Sequence, residues 1–247
     1  MYSFFTDPSL IKGQDIYIEG GDVSHIRSVL RLKPGETVSV RDGVSEDEYR
    51  CHIEDFSEER VHCRLDFVKK ADVELPVKVT ICQGLPKGDK LENVIQKCTE
   101  LGAFRFIPVQ TERSVIRLTP AKAAAKTERW RKIAEAAAKQ SKRAIVPEVL
   151  EPVDFTGVLK LPEKTGGTFL LPYELCSDFS ATRQVLEGIA PGSSLTILIG
   201  PEGGFSEKEA LLAEKAGFIP VTLGRRILRT ETAAMTVLSW LVYLFEK

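Results

Sequence analysis

From Val77 to the end of the chain, short aliphatic runs alternate with helical stripes, and no other feature limits the fold so tightly. Val77 to Cys82 reads as an apolar strand. Leu91, Val94, Ile95, Cys98 and Leu101 form one face of a helix ended by Gly102, and Phe104 to Val109 is the next strand. Thr119 and Pro120 make an N-cap and first-turn proline that open a long helix running to about Lys142, with Trp130, Ile133, Ala134 and Ala137 toward the core. Thr168 to Leu171 is a further strand that stops at a proline turn, Pro172-Tyr173-Glu174. Strands alternating with helices require a parallel sheet covered on both faces, hence an α/β fold.

Two later segments share one plan. Leu195, Ile197, Leu198 and Ile199 form a nearly continuous apolar run, as in a strand buried on both sides. Gly200, Pro201, Gly203 and Gly204 then forbid regular structure, and Ser206 with Glu209 forms an S-x-x-E capping box for a new helix. Phe218 to Leu223 repeats the strand, followed by Gly224, a loop carrying Arg225, Arg226 and Arg229, and a helix opened by Thr230 or Thr232. Loops at the carboxyl ends of buried strands are where open α/β sheets bind small molecules. One glycine loop is equally an ordinary strand–helix turn; two in succession, with three arginines on the second, favour a shared pocket. The last helix, Glu231 to Phe245, is apolar on nearly every face, which predicts burial all round and a homodimer interface.

The first 70 residues are different. Asp15 to Glu19, Glu36 to Arg41, Glu48 to Asp55 and Arg60 to Val68 read as strands, with turns at Pro34-Gly35 and Asp42-Gly43. A small barrel closes such strands. Within DVSHIRSVLRLKPG, the spacing puts Ile26, Val29 and Leu30 on one helical face and Arg27 and Arg31 on another. The polar stretch Lys69 to Pro76 marks a boundary, giving an expected domain of residues 1–72 and another of 73–247.

A formal net charge of −1 gives no whole-molecule attraction to nucleic acid, so an RNA contact has to use local patches. Residues 121–143 supply one, with eight Lys or Arg against two Glu. Five scattered cysteines without a C-x-x-C pair predict reduced thiols in a cytoplasmic protein, and His25, His52 and His62 share no metal-ligand spacing, so no metal is expected. MYSFFTDPSL lacks the pattern of a signal peptide, and Met235 to Phe245 is too short to span a bilayer. There is no phosphate-binding G-x-x-x-x-G-K-[ST], and G-P-E-G-G-F is not the dinucleotide G-x-G-x-x-G, which counts against ATP hydrolysis and hydride transfer. A glycine loop without a phosphate-binding lysine suits an adenosine held by backbone groups, and the residues alone lead no further.

The segments IGPEGGFSEKE (199–209), LGRRILRTETAA (223–234), QGLPKGDKLENVIQKCTELG (83–102), ERSV (112–115), AKQSKR (138–143) and HIRSVLR (25–31) closely resemble the bacterial ribosomal RNA small-subunit methyltransferase E family over essentially the whole chain. The resemblance implies an N-terminal PUA-like β-barrel and a C-terminal SPOUT domain with a parallel sheet and a trefoil knot. It further implies a homodimer that uses S-adenosylmethionine to methylate N3 of a uridine in the decoding region of 16S ribosomal RNA. It carries the cofactor to three places: Leu171, Pro172, Tyr173 and Glu174; then Ile199, Gly200, Pro201, Glu202, Gly203 and Gly204; then Leu223, Gly224, Arg226, Ile227, Leu228, Arg229, Thr230, Glu231, Thr232 and Ala233. Arg27, Arg31, Lys87, Arg113, Gln140, Lys142 and Arg143 are the expected RNA contacts; Lys139 replaces a more common Glu, and Lys142 and Arg225 fall at variable positions of the family.

Methyl transfer to uracil N3 needs proton removal and stabilisation of charge on O2 and O4, with Glu231 or a water to accept the proton and Arg229 as the stabilising cation, Arg31 or Arg143 being further candidates. A helix-capping role for Glu231 is the alternative. A non-catalytic RNA-binding protein on the same scaffold and a tRNA-modifying relative are the competing functions. A pure binder has no need of two intact glycine loops, and the N-terminal barrel counts against the second.

Overall fold

The computed structural model describes residues 1–246; Lys247, the last residue of the expected second domain, lies outside them. The chain divides into two compact units, one of Met1–Glu74 with Ala138–Val146, the other of Leu75–Ala137 with Pro147 onward.

In the first unit, β1 (Ser3–Phe5), β2 (Ile11–Lys12), β3 (Asp15–Glu19), β4 (Thr37–Arg41), β5 (Asp47–Phe56) and β6 (Arg60–Lys70) form a mixed sheet ordered β1-β4-β5-β6-β3-β2. Alternation decides which side is inside: Ile16, Ile18, Val38, Val40, Cys51, Ile53, Val61 and Cys63 are all fully buried. The β4–β5 turn forms at Asp42-Gly43, where the Asp42 carboxylate accepts from the amides of Val44 and Ser45 and Gly43 takes φ +74°.

The helix read in the 22–35 region exists but is not regular. A short α1 (Gly21–Ser24) runs into a π turn, His25–Val29. The wider turn advances the register, so Ile26 is buried while Val29, expected beside it, is 66% exposed.

The segment Ala138–Val146 is held by two buried charges of this unit. Arg41 donates to the carbonyls of Lys142 (2.6 Å) and Arg143 (3.0 Å) and pairs with Glu48 at 3.2 Å. Glu74 accepts from the Arg143 guanidinium (3.1 Å) and from the amides of Ala144 (2.9 Å) and Ile145 (3.1 Å).

The second unit contains β7 (Lys78–Gly84), α2 (Lys90–Glu100), β8 (Arg105–Gln110), most of α3 (Pro120–Gln140), β9 (Glu148–Val149), β10 (Val153–Asp154), α4 (Phe155–Val158), α5 (Leu161–Thr165) and β11 (Thr168–Pro172). It continues with α6 (Phe179–Glu187), β12 (Ser194–Ile199), α7 (Glu207–Lys215), β13 (Ile219–Val221) and α8 (Thr230–Phe245). The sheet runs β10-β8-β7-β12-β11-β13 with every ladder parallel, and β9 adds to β8. Strand parity sorts the core onto two faces. Val79, Ile81, Leu195 and Ile197 pack with α2, α3 and α8, whereas Cys82, Phe169, Leu171 and Leu198 pack with Phe155, Phe205, Ala213 and Phe218 on the other side. Full burial of each such aliphatic side chain contributes about 1.5–3 kcal/mol.

Within one copy of the chain α8 is covered on one side: Ala234, Val237, Leu238 and Leu241 face the sheet, but Tyr243 is 85% and Leu244 40% exposed. The helix lies on one side of the layer, so only its i, i+3, i+4 stripe is enclosed. The basic stretch 121–143 is also less open than its composition implied, since Arg129 pairs with Glu92, Arg131 with Glu128 and Lys139 with Asp22, and Arg143 is buried. Cys51, Cys63, Cys82 and Cys98 are buried and unbridged, and burial pushes the Cys82 and Cys98 thiols far up. Among the described residues no helix is long and apolar enough to cross a membrane.

Candidate functional site

The pairing of β11 with both β12 and β13 sets the site, because it brings three carboxyl ends together. Pro172 lies opposite Val221, and the Tyr173 amide donates to the Val221 carbonyl at 3.0 Å. β12 meanwhile lies beside β7, with Ile199 opposite Gln83.

The first glycine loop folds back tightly from there. The Gly204 amide donates to the Pro201 carbonyl at 2.9 Å, and Gly204 itself has φ +64°. A Cβ at Gly200 would approach the Gly204 backbone to 3.0 Å, so this corner has no room for a side chain. Beyond it the capping box is complete: Ser206 Oγ accepts from the Glu209 amide, and Glu209 accepts from the Ser206 amide. A neighbouring turn braces the loop, with Glu112 accepting from Ser206 Oγ (2.8 Å), the Glu112 amide donating to Glu209 (2.8 Å) and Arg113 donating to the Gly203 carbonyl (2.8 Å).

Gln83 joins the two glycine loops. It is fully buried, and its amide nitrogen lies 3.2 Å from the Gly200 carbonyl and 2.8 Å from Thr230 Oγ1. Thr230 in turn donates to the Gly200 carbonyl at 2.6 Å. Glu202 fixes the loop after β7, accepting from the Lys87 amide at 3.0 Å and from Lys90 Nζ at 2.7 Å. Partial burial opposes its ionisation, but the bonds from Lys90 and from backbone amides outweigh that and hold its carboxyl below the ordinary value.

These loops enclose a cavity of about 440 Å³, within the usual range for a small-molecule site. Pro172, Tyr173 and Glu174 line it from β11; Ile199, Gly200, Pro201, Glu202 and Gly204 from β12; and Leu223, Gly224 and the run Arg226 to Glu231, with Ala233, from the last loop and helix. Arg225 of the basic loop also lines it, as do Lys90, Phe205 and Thr222, which sequence reasoning did not put there. Three expected cofactor residues lie elsewhere: Leu171 is in the core, Gly203 faces Arg113, and Thr232 is exposed outside the wall. Gly-rich backbone beside Ile199, Leu223, Leu228 and Ala233 fits a flat, uncharged ring system better than a phosphate group.

Charge is unevenly spent on this wall. Lys90 is paired with Glu202, whereas Arg225, Arg226 and Arg229 are exposed and have no carboxylate partner among the described residues. Glu231 Oε2, by contrast, is buried and accepts no hydrogen bond among the described residues. A desolvated carboxylate oxygen without a donor is costly, and a proton or cation arriving in the cavity would satisfy it.

The expected RNA residues scatter over both units. In the first, Arg27 donates to the Ser57 carbonyl (3.0 Å) and stacks over Phe56, Arg31, Gln140 and Lys142 are exposed, and Arg143 is committed to Glu74 and is 3% exposed, which removes it from any phosphate surface. In the second, Lys87 is exposed on the loop that Glu202 holds, and Arg113 braces the glycine loop.

Two other sites are less suitable. A cavity of about 530 Å³ in the first unit is rimmed by Glu19, Glu58 and Glu59, a poor surface for a polyanion. Asp15, Glu54 and His62 bring ligand atoms within 4.8 Å of one another, but Asp15 Oδ1 already takes His62 at 2.9 Å and Arg64 at 2.8 Å.

Comparison with known proteins adds to this geometry. Residues 73–242 match the model of an RNA methyltransferase domain, and residues 18–66 that of an RNA methyltransferase PUA domain. The chain is 41% identical over 231 residues to ribosomal RNA small subunit methyltransferase E of Bacillus subtilis, covering 92% of this chain and 89% of that one. It is 32% identical to the protein of the same name from Synechocystis, over 99% and 78% of the two chains. The crystal structure of the Neisseria gonorrhoeae ribosomal RNA small subunit methyltransferase E bound to S-adenosylmethionine superposes with a TM-score of 0.85 at 30% identity, covering 99% of this chain and 98% of that one.

Proposed function

The chain belongs to the ribosomal RNA small subunit methyltransferase E family, and from that premise we propose that it transfers the methyl group of S-adenosylmethionine to N3 of a uridine in the decoding region of 16S ribosomal RNA. The observation that carries the reading is the wall from Gly224 to Glu231, which sets three unpaired arginines beside a buried carboxylate oxygen on one cavity.

When bound, S-adenosylmethionine supplies an electrophilic methyl group on a sulfonium. The Gly200–Gly204 and Leu223–Leu228 backbones and the apolar wall hold its adenosine, and Pro172, Tyr173 and Glu174 close the third side. Uracil N3 is a poor nucleophile until its proton leaves. Glu231 Oε2 accepts that proton, a role its lack of any other donor supports. The Arg229 guanidinium balances the charge that spreads onto O2 and O4. The target base has to be splayed from its stack to enter, and Arg225, Arg226 and Lys87 hold the flanking phosphates.

The finer architecture of the family belongs to the same proposal. Residues 1–72 are a PUA-like barrel, and the chain beyond them is a SPOUT domain whose C-terminal part is tied in a trefoil knot. Two copies pair through the exposed apolar side of α8, where Trp240, Tyr243 and Leu244 lack a complete cover.

The test is methyl transfer from labelled S-adenosylmethionine to small ribosomal subunits that lack the modification, with large subunits and tRNA in parallel. Label in 16S RNA alone is the expected result. Label only in tRNA, or none with bound cofactor, would overturn the reading.

A further inference from the structure

Gln83, the next-to-last residue of β7, is fully buried, and its side chain donates to three oxygens. Nε2 reaches the carbonyls of Gly84 (3.1 Å) and Gly200 (3.2 Å) and Thr230 Oγ1 (2.8 Å). The Thr230 hydroxyl gives its own hydrogen to the Gly200 carbonyl at 2.6 Å, so toward Gln83 it can only accept. That fixes which way the amide points. Turned over, Oε1 would face two carbonyls; as it stands, Oε1 is buried with no donor among the described residues.

An orphaned acceptor in the interior is a cost that a leucine of similar size would not carry. Filling this space therefore does not call for an amide. What the amide supplies, and an aliphatic side chain cannot, is a donor shared by the end of β7, the glycine loop after β12 and the first turn of α8.

The α8 end of that link carries the chemistry. α7 opens with its own capping box, but α8 opens on Arg229, whose side chain makes no capping bond. Its first turn is instead tied sideways, through Thr230, to Gly200 and Gln83. Thr230 stands between Arg229 and Glu231 in the chain, and Glu231 Oε2 has no hydrogen bond among the described residues to anchor it. The place of both groups relative to the cofactor loop therefore follows the Thr230 backbone.

We propose that Gln83 is a positioning residue for methyl transfer. Gln83 itself is not part of the cavity wall. Through Thr230 it holds Arg229 and Glu231 in register with the Gly200–Gly204 loop. The inference rests on the reaction proposed above and adds to it a residue outside the pocket.

The experiment measures kcat, S-adenosylmethionine affinity by calorimetry and melting temperature, with unmodified small ribosomal subunits as substrate. It compares the unaltered full-length protein with Gln83→Leu, Thr230→Val, their double variant and Thr230→Ser. Gln83→Leu removes the donor and the orphaned acceptor together, so its melting temperature should stay close to that of the unaltered protein. Misplacing a catalytic group by about 1 Å costs on the order of 10²-fold, so kcat should fall about 10- to 100-fold while cofactor affinity stays within about threefold. Thr230→Ser keeps both hydroxyl bonds and should be faster than Thr230→Val. Because Gln83 and Thr230 act through one link, the double variant should be no slower than the slower single variant.

Unchanged kcat in Gln83→Leu, or losses that multiply in the double variant, would overturn the proposal. So would a kcat that falls only in step with cofactor affinity and melting temperature, the mark of a merely structural residue. Should Gln83→Leu fail to fold, the threonine pair decides the question, and equal kcat in Thr230→Val and Thr230→Ser would refute the link. An unaltered protein that binds S-adenosylmethionine but labels no small subunit would overturn the reaction itself, and this inference with it.

Discussion

Gly84 closes β7 directly beneath the first glycine loop, and a single methyl group there tests whether that loop's position sets cofactor affinity. A Cβ on Gly84 would stand 2.6 Å from Pro201 Cδ, 2.7 Å from Pro201 N and 3.0 Å from the Gly200 carbonyl carbon. Carbon atoms in a packed interior rest about 3.5–4.0 Å apart, so Pro201 has to retreat by roughly 1 Å. The obstacle is a proline ring and backbone, which have no rotamer to change. Overpacking of this kind costs about 1–3 kcal/mol. If the loop yields while β7 stays in its sheet, that cost falls on the state that binds cofactor, and affinity drops about 5- to 150-fold. Isothermal titration of Gly84→Ala with S-adenosylmethionine reads the effect, and thermal unfolding with and without cofactor shows whether the loop or the fold has yielded. Gly192→Ala is the control, since Gly192 has φ +84° and open space around it. Its substitution strains the backbone by about 1 kcal/mol but should leave titration unchanged. Undiminished binding in Gly84→Ala would refute the claim that the close stacking of Gly84, Pro201 and Gly200 shapes the pocket.

Three further outcomes are expected. Glu231→Ala should retain cofactor binding by calorimetry and lose about 10²–10⁴-fold in methyl transfer, and unchanged turnover would remove Glu231 from the mechanism. Glu202 has a carboxyl held below its ordinary value, so its contribution is fully present above the unfolded value and is lost as pH falls through the lower folded one. Cofactor affinity should therefore decline as pH drops below the ordinary glutamate range, and Glu202→Gln should bind more weakly near neutrality without that acid limb. Glu74→Ala removes the carboxylate that pairs with the buried Arg143 guanidinium and orphans two amides, so chemical denaturation should show a loss of about 3–5 kcal/mol.

What could be read from the sequence followed the range of the interaction. The Ser206–Glu209 capping box is an i, i+3 pattern, and the structure forms it as read. The strands at Val77–Cys82, Phe104–Val109, Thr168–Leu171 and Ser194–Ile199 are signalled by apolar runs that both faces of the sheet bury, and all pair in parallel. Short elements such as β1, β2, β9 and β10 were invisible because two or three residues carry no period. Charge was misread where its partner is distant in sequence: Arg143 finds Glu74 across 69 residues, so it does not read as internal from its own neighbourhood. Val29 was misplaced because a π turn shifts a register that 3.6-residue periodicity assumes. For α8, composition alone could not tell which side the sheet covers.

The central claim is that this chain methylates a base nitrogen on the pairing edge of uridine, and nucleoside analysis after transfer tests it most directly. Small subunits lacking the modification are incubated with the protein and labelled S-adenosylmethionine, and their 16S RNA is digested to nucleosides and resolved by chromatography and mass spectrometry. The account predicts a single labelled product, 3-methyluridine, at one methyl per subunit. Label on a ribose hydroxyl, on a base other than uracil, or on a uracil carbon would contradict it.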